Sequence, residues 1–336
     1  MSIDVTRADD VSPDKWNGYV ERSPSAGVFH RQEALEVIAD HADADLVRLV
    51  GHKGQEPVGL FPLFVLSKGP LRAVFSPPPN LRVSYLGPAF LNMGKLKRRK
   101  AERRRRRFID GAVEWLDEEV DHSYLHLRTT SGYADVRPFQ WNDCSVTQDH
   151  TYVVDLTPGE EDVKARFSSD ARGNVRNSDP DRYEITVGDA EDVDRIVRMV
   201  RDRYESQDIT YGVPPEFVTD LHEALPDEQF RPYVCRVDGD YAGGMLVLAD
   251  DDRVYRWQGG VKTDGEIDLP VNDLVDWRVM TDAMADGIDE YDLVGADNPR
   301  INRYKAKFGP DLEPFYSVET GTRTMTFLAS IYERYK

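Results

Sequence analysis

Apolar and polar positions in the first half of the chain recur with the periods of strands and helices. The elements they predict are a strand at "IDVTRAD", helices at "SPDKWNGYVERS" and "FHRQEALEVIADHA", a hairpin at "DLVRLVGHKGQEPVGLFPLFVL", a strand at "RVSYLGPAF", a long helix at "KLKRRKAERRRRRFIDGAVEWLDEEV" and a strand at "SYLHLRT". Ser12 followed by Pro13 marks a helix N-terminus, because serine caps free amides and proline fits the first turn.

The second half repeats this order of elements. Its predicted elements are a strand at "TYVVDL", a helix through Phe167, a strand at "YEITV", helices at "DAEDVDRIVRMVRDRY" and "PPEFVTDLHEAL", a three-stranded meander over 231–260, a long helix at "LPVNDLVDWRVMTDAMADG", a strand at "EYDLVGAD", a short helix and a strand at "FYSVE". In "TPGE", Thr157 and Glu160 have the spacing of a capping box. The sequence thus predicts an α/β (α+β) protein with two mixed sheets, in domains 1–145 and 146–336.

The short helix near the C-terminus, "NPRINRYKAKFGP", has explicit start and stop signals. Asn298 can cap it, Pro299 fits its first position, and Gly309 ends it. Its apolar stripe and its polar face follow from helical spacing: Ile301, Tyr304 and Phe308 form the stripe, Lys305 lies at the stripe's edge, and Arg300, Arg303 and Lys307 face water. On this pattern alone, Lys305 lays its stem along the core and extends its ammonium into solvent.

Composition adds a strong charge bias. The chain of 336 residues has a net charge of −18, and its 43 basic residues comprise 11 lysines and 32 arginines. Periodic apolar segments throughout the length exclude a disordered acidic protein. An acidic, lysine-poor surface is typical of a halophile with an acidic proteome, since strongly hydrated carboxylates keep proteins soluble in salt. An ordinary acidic enzyme is the alternative.

Other function classes lack their signals in the sequence. The acidic start "MSIDVTRADD" and the absence of an apolar run of about 18 residues predict a cytoplasmic protein without a transmembrane segment. Cys144 and Cys235 are isolated, and "HSYLHL" reads as a strand, so no metal site is predicted. Serine-hydrolase, zinc-protease, P-loop and dinucleotide motifs are missing.

Four stretches of the second half resemble those of a known family. They are "TYVVDL", the "RGNVR" of 172–176, "RWQGG" before the long helix, and "YDLVGADNPRINRYKAKFG". Their order resembles the GNAT acyltransferase fold, and the two similar halves resemble the FemAB-like proteins, which have tandem GNAT domains. The resemblance covers nearly all of the second domain and fits the first, degenerate domain more loosely. It implies an N-acyltransferase that moves an acyl or aminoacyl group from a thioester or an aminoacyl-tRNA to an amine.

The implied donor depends on one loop. GNAT proteins bind the pyrophosphate of coenzyme A at glycine-rich backbone before the helix that follows the meander. Here that loop is "GGVKTDGEIDLPVND", which contains glycines but is acidic and lacks the usual pattern. Acyl-CoA and aminoacyl-tRNA both remain candidate donors, as in FemAB-like proteins. The acceptor is a small-molecule, lipid-linked or protein amine.

The candidate site lies in the second half. The proposed catalytic residues are Lys305, where the resemblance places a lysine near the transfer cleft, Asp273 as proton acceptor, and Tyr255. The proposed donor-binding or substrate-binding residues are Arg172, Arg176, Trp257, Gln258, Gly259, Gly260, Asp268, Asn272 and Tyr304. Strand alternation predicts Tyr255 and Trp257 on one face of the meander and Arg256 and Gln258 on the other.

Each assignment has a structural alternative. The acidic residues near 268–273 can simply complement the positive end of a helix. Arg172 and Arg176, four apart on a helix, can clamp a phosphate or pair with the nearby Asp170 and Asp179. The sequence does not decide between these interpretations.

A basic helix stands out in the first half. Residues 95–107 carry ten basic residues and one acid, including the run Arg103, Arg104, Arg105, Arg106 and Arg107. This run is a candidate polyanion patch for tRNA or an anionic lipid surface, or it is a solvated helix face. It supports an alternative function, in which a non-catalytic GNAT-like module is tethered to a polyanion.

Overall fold

The computed structural model describes residues 2–259 and 267–321. They divide into two compact units, one formed by the residues up to Asp149 together with those from Pro314 onward, the other by His150–Glu313. The boundary predicted at 145/146 lies close to this division. The residues from Pro314 onward, assigned by sequence to the second domain, instead pair with the first unit because their strand is hydrogen-bonded there.

The first unit contains most of the elements that the sequence pattern predicts. Its elements are β1 (Asp4–Arg7), α1 (Pro13–Val20), α2 (Gln32–Ala42), β2 (Asp45–Lys53), β3 (Glu56–Lys68), β4 (Leu71–Ser76), β5 (Ala89–Phe90), α3 (Arg98–Glu119), β6 (Tyr124–Arg128) and α4 (Arg137–Trp141). The sequence did not predict β4 or α4, and the strand predicted at "RVSYLGPAF" is formed only at β5. Ser12 caps α1 by accepting a hydrogen bond from the amide of Lys15, as predicted.

The remaining elements carry the chain through the second unit and back to the first. They are β7 (Ser145–Asp155), α5 (Glu160–Arg166), α6 (Ser169–Asn177), β8 (Tyr183–Val187), α7 (Ala190–Glu205), α8 (Pro215–Ala224), β9 (Phe230–Val237), β10 (Asp240–Ala249), β11 (Arg253–Gly259), α9 (Val271–Asp286), β12 (Glu290–Asp292), α10 (Pro299–Lys305) and β13 (Asp311–Gly321). The predicted capping box is wrong: α5 starts after Gly159, and the Thr157 hydroxyl donates to Asp155 instead.

Each unit has the same sheet plan. In the first, β1, β2, β3 and β4 form an antiparallel series, α3 crosses to β6 parallel to β4, and β13 pairs antiparallel with β6. In the second, β8, β9, β10 and β11 form the series, α9 crosses to β12 parallel to β11, and β7 pairs antiparallel with β12. The α/β class with mixed sheets is thereby confirmed.

The crossover helix of each unit packs on its sheet through apolar side chains. In the first unit the ring of Phe108 from α3 lies against Gly51 and Gly59, where any Cβ would come within 3 Å of the ring. In the second unit Leu274, Val275 and Val279 of α9 join the buried core. These contacts hold each long helix at a fixed depth over its strands.

Two properties of the described residues bear on function. None of the helices in residues 2–259 and 267–321 is long and apolar enough to cross a membrane. The same residues contain no group of three histidine, cysteine or acidic side chains placed to hold a metal ion.

Candidate functional site

The two parallel strands of the second unit separate towards their carboxyl ends. Arg253–Tyr255 of β11 pair with β12, but β12 stops at Asp292 while β11 runs on to Gly259. A register shift between Leu246 and Val247 of β10 leaves an extra residue, Trp257, in β11. Such bulges redirect side chains, and ligands of α/β sheets bind beyond the carboxyl ends of strands. The side chains at this end are the candidate site.

A buried carboxylate organises the space between β11 and α9. Asp276 of α9 is fully buried, and its Oδ1 accepts hydrogen bonds from Arg256 Nε at 3.0 Å and Tyr291 Oη at 2.5 Å. Its Oδ2 accepts from the hydroxyl of Tyr304 in α10. One carboxylate therefore links β11, β12, α9 and α10 through the four residues, which we call the Asp276 cluster.

The Asp276 cluster keeps fixed protonation states. Burial alone would lower the pKa of Arg256, but the carboxylate of Asp276 outweighs it and holds that pKa above its usual range. Burial raises the pKa of Tyr291 and of Tyr304 far above the ordinary tyrosine value, and the negative charge of Asp276 acts in the same direction. Both hydroxyls therefore remain protonated donors.

Lys305 lies beside this cluster with its ammonium turned inward. The residue is 8% exposed, and its Nζ donates to the carbonyl oxygens of Val294 and Gly295, each at 2.7 Å. Burial, helped by the positive charge of Arg256 and opposed by the negative charge of Asp292, lowers the pKa of Lys305 to about 8. The predicted extension of this ammonium into solvent is wrong, because the carbonyls solvate it inside the protein.

The loop that holds Lys305 has an unusual backbone. Val294 and Gly295 both have positive φ, 53° and 86°. A β-branched residue in this region is strained, and such strain concentrates at functional sites. The conformation turns two successive carbonyls towards one ammonium. Asp292 fixes the start of the loop, since its Oδ1 accepts from the amide of Val294 and the hydroxyl of Thr151.

Lys307 does not face water as predicted. Its Nζ forms an ion pair with Asp273 Oδ1 and lies 4.0 Å from the centre of the Tyr304 ring. The Asp273 side chain is 4% exposed, and its Oδ2 accepts a hydrogen bond from Asn174 of α6 at 2.7 Å. The sequence missed this pairing because the helix ends in a 3₁₀ turn after Lys305, which changes the direction of the next side chains.

The predicted apolar stripe of α10 is also only partly correct. Asn298 caps the helix by accepting from the amide of Arg300, and Gly309 ends the following turn with φ of 67°, as predicted. Phe308 is buried, but Ile301 is 43% exposed. The stripe is shorter than predicted because α10 itself spans only Pro299–Lys305.

The bulge changes which face the next β11 side chains occupy. Trp257 packs edge-to-face against Phe217 and Phe230. The Oε1 of Gln258 accepts from the hydroxyl of Tyr211, in the segment between α7 and α8, so Gln258 does not share the face of Arg256 as predicted. Within the described part of the chain, the buried Nε2 of Gln258 has no hydrogen-bond partner. An extra residue reverses strand alternation, which the sequence did not reveal.

Tyr255 is committed to a neighbouring carboxylate. Its hydroxyl donates to Asp250 Oδ2 at 2.9 Å. Burial raises the pKa of Tyr255 far above the usual value, and it raises the pKa of Asp250 to about 6. The predicted catalytic residue Tyr255 is thus a protonated donor with an internal partner.

The remaining predicted donor-binding residues have separate surroundings. Arg172 is exposed and donates to the carbonyl of Ala165, and Arg176 reaches Asn177. The alternative partners of this arginine pair are engaged locally: Asp170 accepts from Ser168 and Asp179 from the amide of Asp181. Asp268 pairs with Arg182 at the surface, so it does not share a partner with Asp273.

Two glycines and one asparagine complete the predicted set. Gly259 has φ of 107°, and a Cβ there would lie 2.6 Å from the carbonyl oxygen of Gly244. Asn272 is buried in the first turn of α9. Gly260 lies outside the described residues.

The N-terminus of α9 is poorly arranged for a pyrophosphate. The amide of Asp273 donates to the carbonyl of Pro270, and the amide of Val271 donates to the carbonyl of Leu269. These amides would otherwise be the donors that bind phosphate at a helix start. The glycine-rich loop itself, residues 260–266, lies outside the described residues. The described part of this region therefore does not favour coenzyme A.

The five arginines of the predicted polyanion patch have different environments on α3. Arg104 is buried and pairs with Glu56 at 3.2 Å, whereas Arg106 pairs with Asp110 and lies over Trp141. Arg105 is half-buried, and Arg103 and Arg107 are exposed. Consecutive helical positions point about 100° apart, so the run does not form one face.

Sequence reasoning missed Arg256, Asp276, Tyr291 and Asp292 as members of the site. The sequence carries little signal for them, because β11, α9 and β12 each contain other charged residues as well. Buried charges need partners, but the sequence does not show which of these charges are buried.

Comparisons with known proteins agree with this fold. Residues 165–306 match the sequence model of the Acetyltransferase (GNAT) domain. No curated protein matches the chain significantly. Solved structures do match. A crystal structure of FemX aligns with a TM-score of 0.74 at 11% identity, covering 91% of this chain and 96% of FemX.

Two further solved structures have the same fold. The C-terminal domain of a putative lysylphosphatidylglycerol synthetase from Agrobacterium fabrum has a TM-score of 0.56 at 13% identity, covering 93% of this chain and 92% of its own. A tandem GNAT protein from the clavulanic acid biosynthesis pathway has a TM-score of 0.51 at 12% identity, covering 95% and 98%. Residues 165–306 therefore match the GNAT domain model, and the chain has the fold of FemX and of the tandem GNAT protein.

Proposed function

We propose that the second unit transfers an acyl or aminoacyl group to an amine, at the end of β11 and β12 beside α10. The observation that carries this proposal is the buried Lys305 ammonium, held by the strained Val294–Gly295 backbone. A lysine kept inside a protein at the open end of parallel strands is costly unless its charge is used. The GNAT domain supplies the reaction class.

Lys305 would act as a fixed positive charge. An ammonium has three N–H donors, and two of them bind the Val294 and Gly295 carbonyls. The third is then available for the acyl oxygen, where negative charge develops in the tetrahedral intermediate, or for a phosphate of the donor. Since both loop carbonyls are held by the backbone, little reorganisation is needed when the charge develops.

Gln258 offers a second donor at the same end of β11. Its buried Nε2, which lacks a partner among the described residues, can donate to a carbonyl oxygen of the substrate. The Asp276 cluster would act by positioning, because its hydrogen bonds fix the strand, the helix and Tyr304 around this space. Asp273 is occupied by Lys307 and Asn174, so we assign it a positioning role as well.

The proposal includes two donor classes, an aminoacyl ester and acyl-CoA. The internally bonded amides of α9 favour a donor that does not place a pyrophosphate there, such as an aminoacyl ester, over acyl-CoA. An acceptor amine on a small molecule, a lipid or a protein is compatible with the site. One protein of similar fold is described as a putative lysylphosphatidylglycerol synthetase. Aminoacyl donors and lipid acceptors are therefore the first to test.

The test is a transfer assay with isotopically labelled donors. Purified protein would be incubated with labelled acetyl-CoA or labelled aminoacyl-tRNA and with amine, lipid and peptide acceptors, and label would be followed by mass spectrometry. We expect label in an amide product with one donor class. Binding of tRNA with no transfer from either donor would instead favour the tethered, non-catalytic alternative.

A further inference from the structure

The first unit contains a pocket lined by arginine side chains that take no part in the Lys305 site. Its volume is about 340 Å³, and it is bounded by α3 and by the segment leading into α4. The lining residues are Arg98, Ala101, Glu102, Arg105, Ala134, Asp135 and Arg137. Three guanidinium groups face two carboxylates, so the lining is positive in a chain whose net charge is −18.

Both carboxylates of the pocket are already paired. Asp135 accepts two hydrogen bonds from Arg137, at 2.7 Å from Nε and 2.8 Å from Nη2. Glu102 Oε1 accepts from Arg98 Nε at 3.1 Å, and Arg137 Nη2 lies 3.7 Å from the same oxygen. The charges of these four groups cancel locally. Arg105 is the cation left over.

The Nε of Arg105 is buried and has no hydrogen-bond partner within residues 2–259 and 267–321. The guanidinium lies over the Phe90 ring at 5.8 Å, a contact that holds its position without using the Nε–H. A buried donor without an acceptor is destabilising, and a bound acceptor would remove that cost.

We propose that this pocket binds a small oxyanion, a phosphate or carboxylate group, with Arg105 as its principal contact. A guanidinium binds either group through two parallel N–H bonds. The volume lies at the lower end of the range for small-molecule sites. The site is separate from Lys305, so it stands or falls independently of the acyl-transfer proposal.

The test is calorimetric titration of the full chain with inorganic phosphate and with succinate, at constant ionic strength in sodium chloride. We expect one of them to bind with a dissociation constant in the millimolar range or tighter, and the stronger probe identifies phosphate or carboxylate as the preferred group. Arg105→Gln should weaken that binding by about tenfold, equivalent to losing one charge-assisted hydrogen bond.

Arg103→Gln is the matched control, because it removes the same charge from the same helix at an exposed position outside the pocket. It should change the dissociation constant less than about twofold. Equal weakening by Arg103→Gln and Arg105→Gln, or no binding of either probe to the wild type, would overturn the proposal.

Discussion

At the residue scale, one lysine carries the proposed chemistry. Lys305→Met keeps the length of the buried stem but removes the ammonium, so the Val294 and Gly295 carbonyls lose their donor. We expect transfer to fall by at least about 100-fold, the magnitude seen when a single oxyanion donor is removed. The measurement is the single-turnover rate of label transfer.

Arg303→Met is the control for that variant. It removes one positive charge from the same short helix, at an exposed position. Its transfer rate should stay within about twofold of wild type, since exposed charges are screened. If both variants lost transfer equally, Lys305 would have only a general electrostatic or structural role.

The pKa of Lys305 leads to a pH prediction. Burial lowers that pKa to about 8, so the ammonium is present below pH 8 and is lost as the pH rises through it. A step that needs the ammonium should therefore slow on the alkaline side, with a midpoint near pH 8 in the pH profile of the single-turnover rate. In Lys305→Arg, any remaining activity should lack this limb, because arginine keeps its proton. A wild-type profile that stays flat from pH 7 to 9.5 would contradict the assignment.

We expect the ion pair of Lys307 with Asp273 to stabilise the fold. Lys307→Met leaves a nearly buried carboxylate with only the Asn174 hydrogen bond. Breaking a buried pair costs about 3–5 kcal/mol, and partial exposure of Lys307 reduces this to about 2 kcal/mol. Urea unfolding measures the loss. Adding Asp273→Asn should restore most of it by removing the unpaired charge, and a double variant less stable than the single one would argue against the pair.

At the element scale, the sequence predicts the individual helices and strands better than the side-chain contacts between them. The meander, the crossover helices, Ser12, Asn298 and Gly309 all follow from local rules of period and capping. Lys307 and Gln258 were assigned the wrong direction, because a 3₁₀ turn at Lys307 and a bulge before Gln258 each change the side-chain period. Charge partners such as Arg256 and Asp276, which are twenty residues apart, meet only through the fold.

The backbone after α10 lies very close to the backbone of α5 at Gly309. Gly309 has φ of 67°, and a Cβ there would lie 2.6 Å from the carbonyl oxygen of Arg166. Gly287, after α9, has a similar φ of 79° and open space around its Cα. Gly287→Ala should cost about 1 kcal/mol for the backbone conformation alone. Gly309→Ala should cost about 3 kcal/mol, because the backbone must also move. Equal losses in urea unfolding would show that the contact is relaxed in solution.

At the scale of the whole molecule, salt acts on stability through two opposing electrostatic effects. The 61 acidic residues outnumber the 43 basic ones, but many acids of the described residues lie in ion pairs with arginine, such as Asp276 and Asp135. Salt weakens exposed pairs and also weakens the repulsion caused by the excess of 18 charges. The repulsion acts over the whole surface and grows with net charge, whereas most exposed pairs contribute less than about 1 kcal/mol.

Relief of repulsion should therefore dominate. Raising KCl from 0.05 M to 1 M is expected to raise the melting temperature by several degrees, with most of the rise below about 0.5 M, where the screening length is already only a few ångströms. Charge-reversing variants at exposed positions, such as Glu118→Lys with Glu119→Lys at the end of α3, should have a smaller salt response, because they make the net charge less negative. A melting temperature that falls with KCl would mean that exposed pairs stabilise the fold more than the excess charge destabilises it, and the acidic composition would then need another explanation.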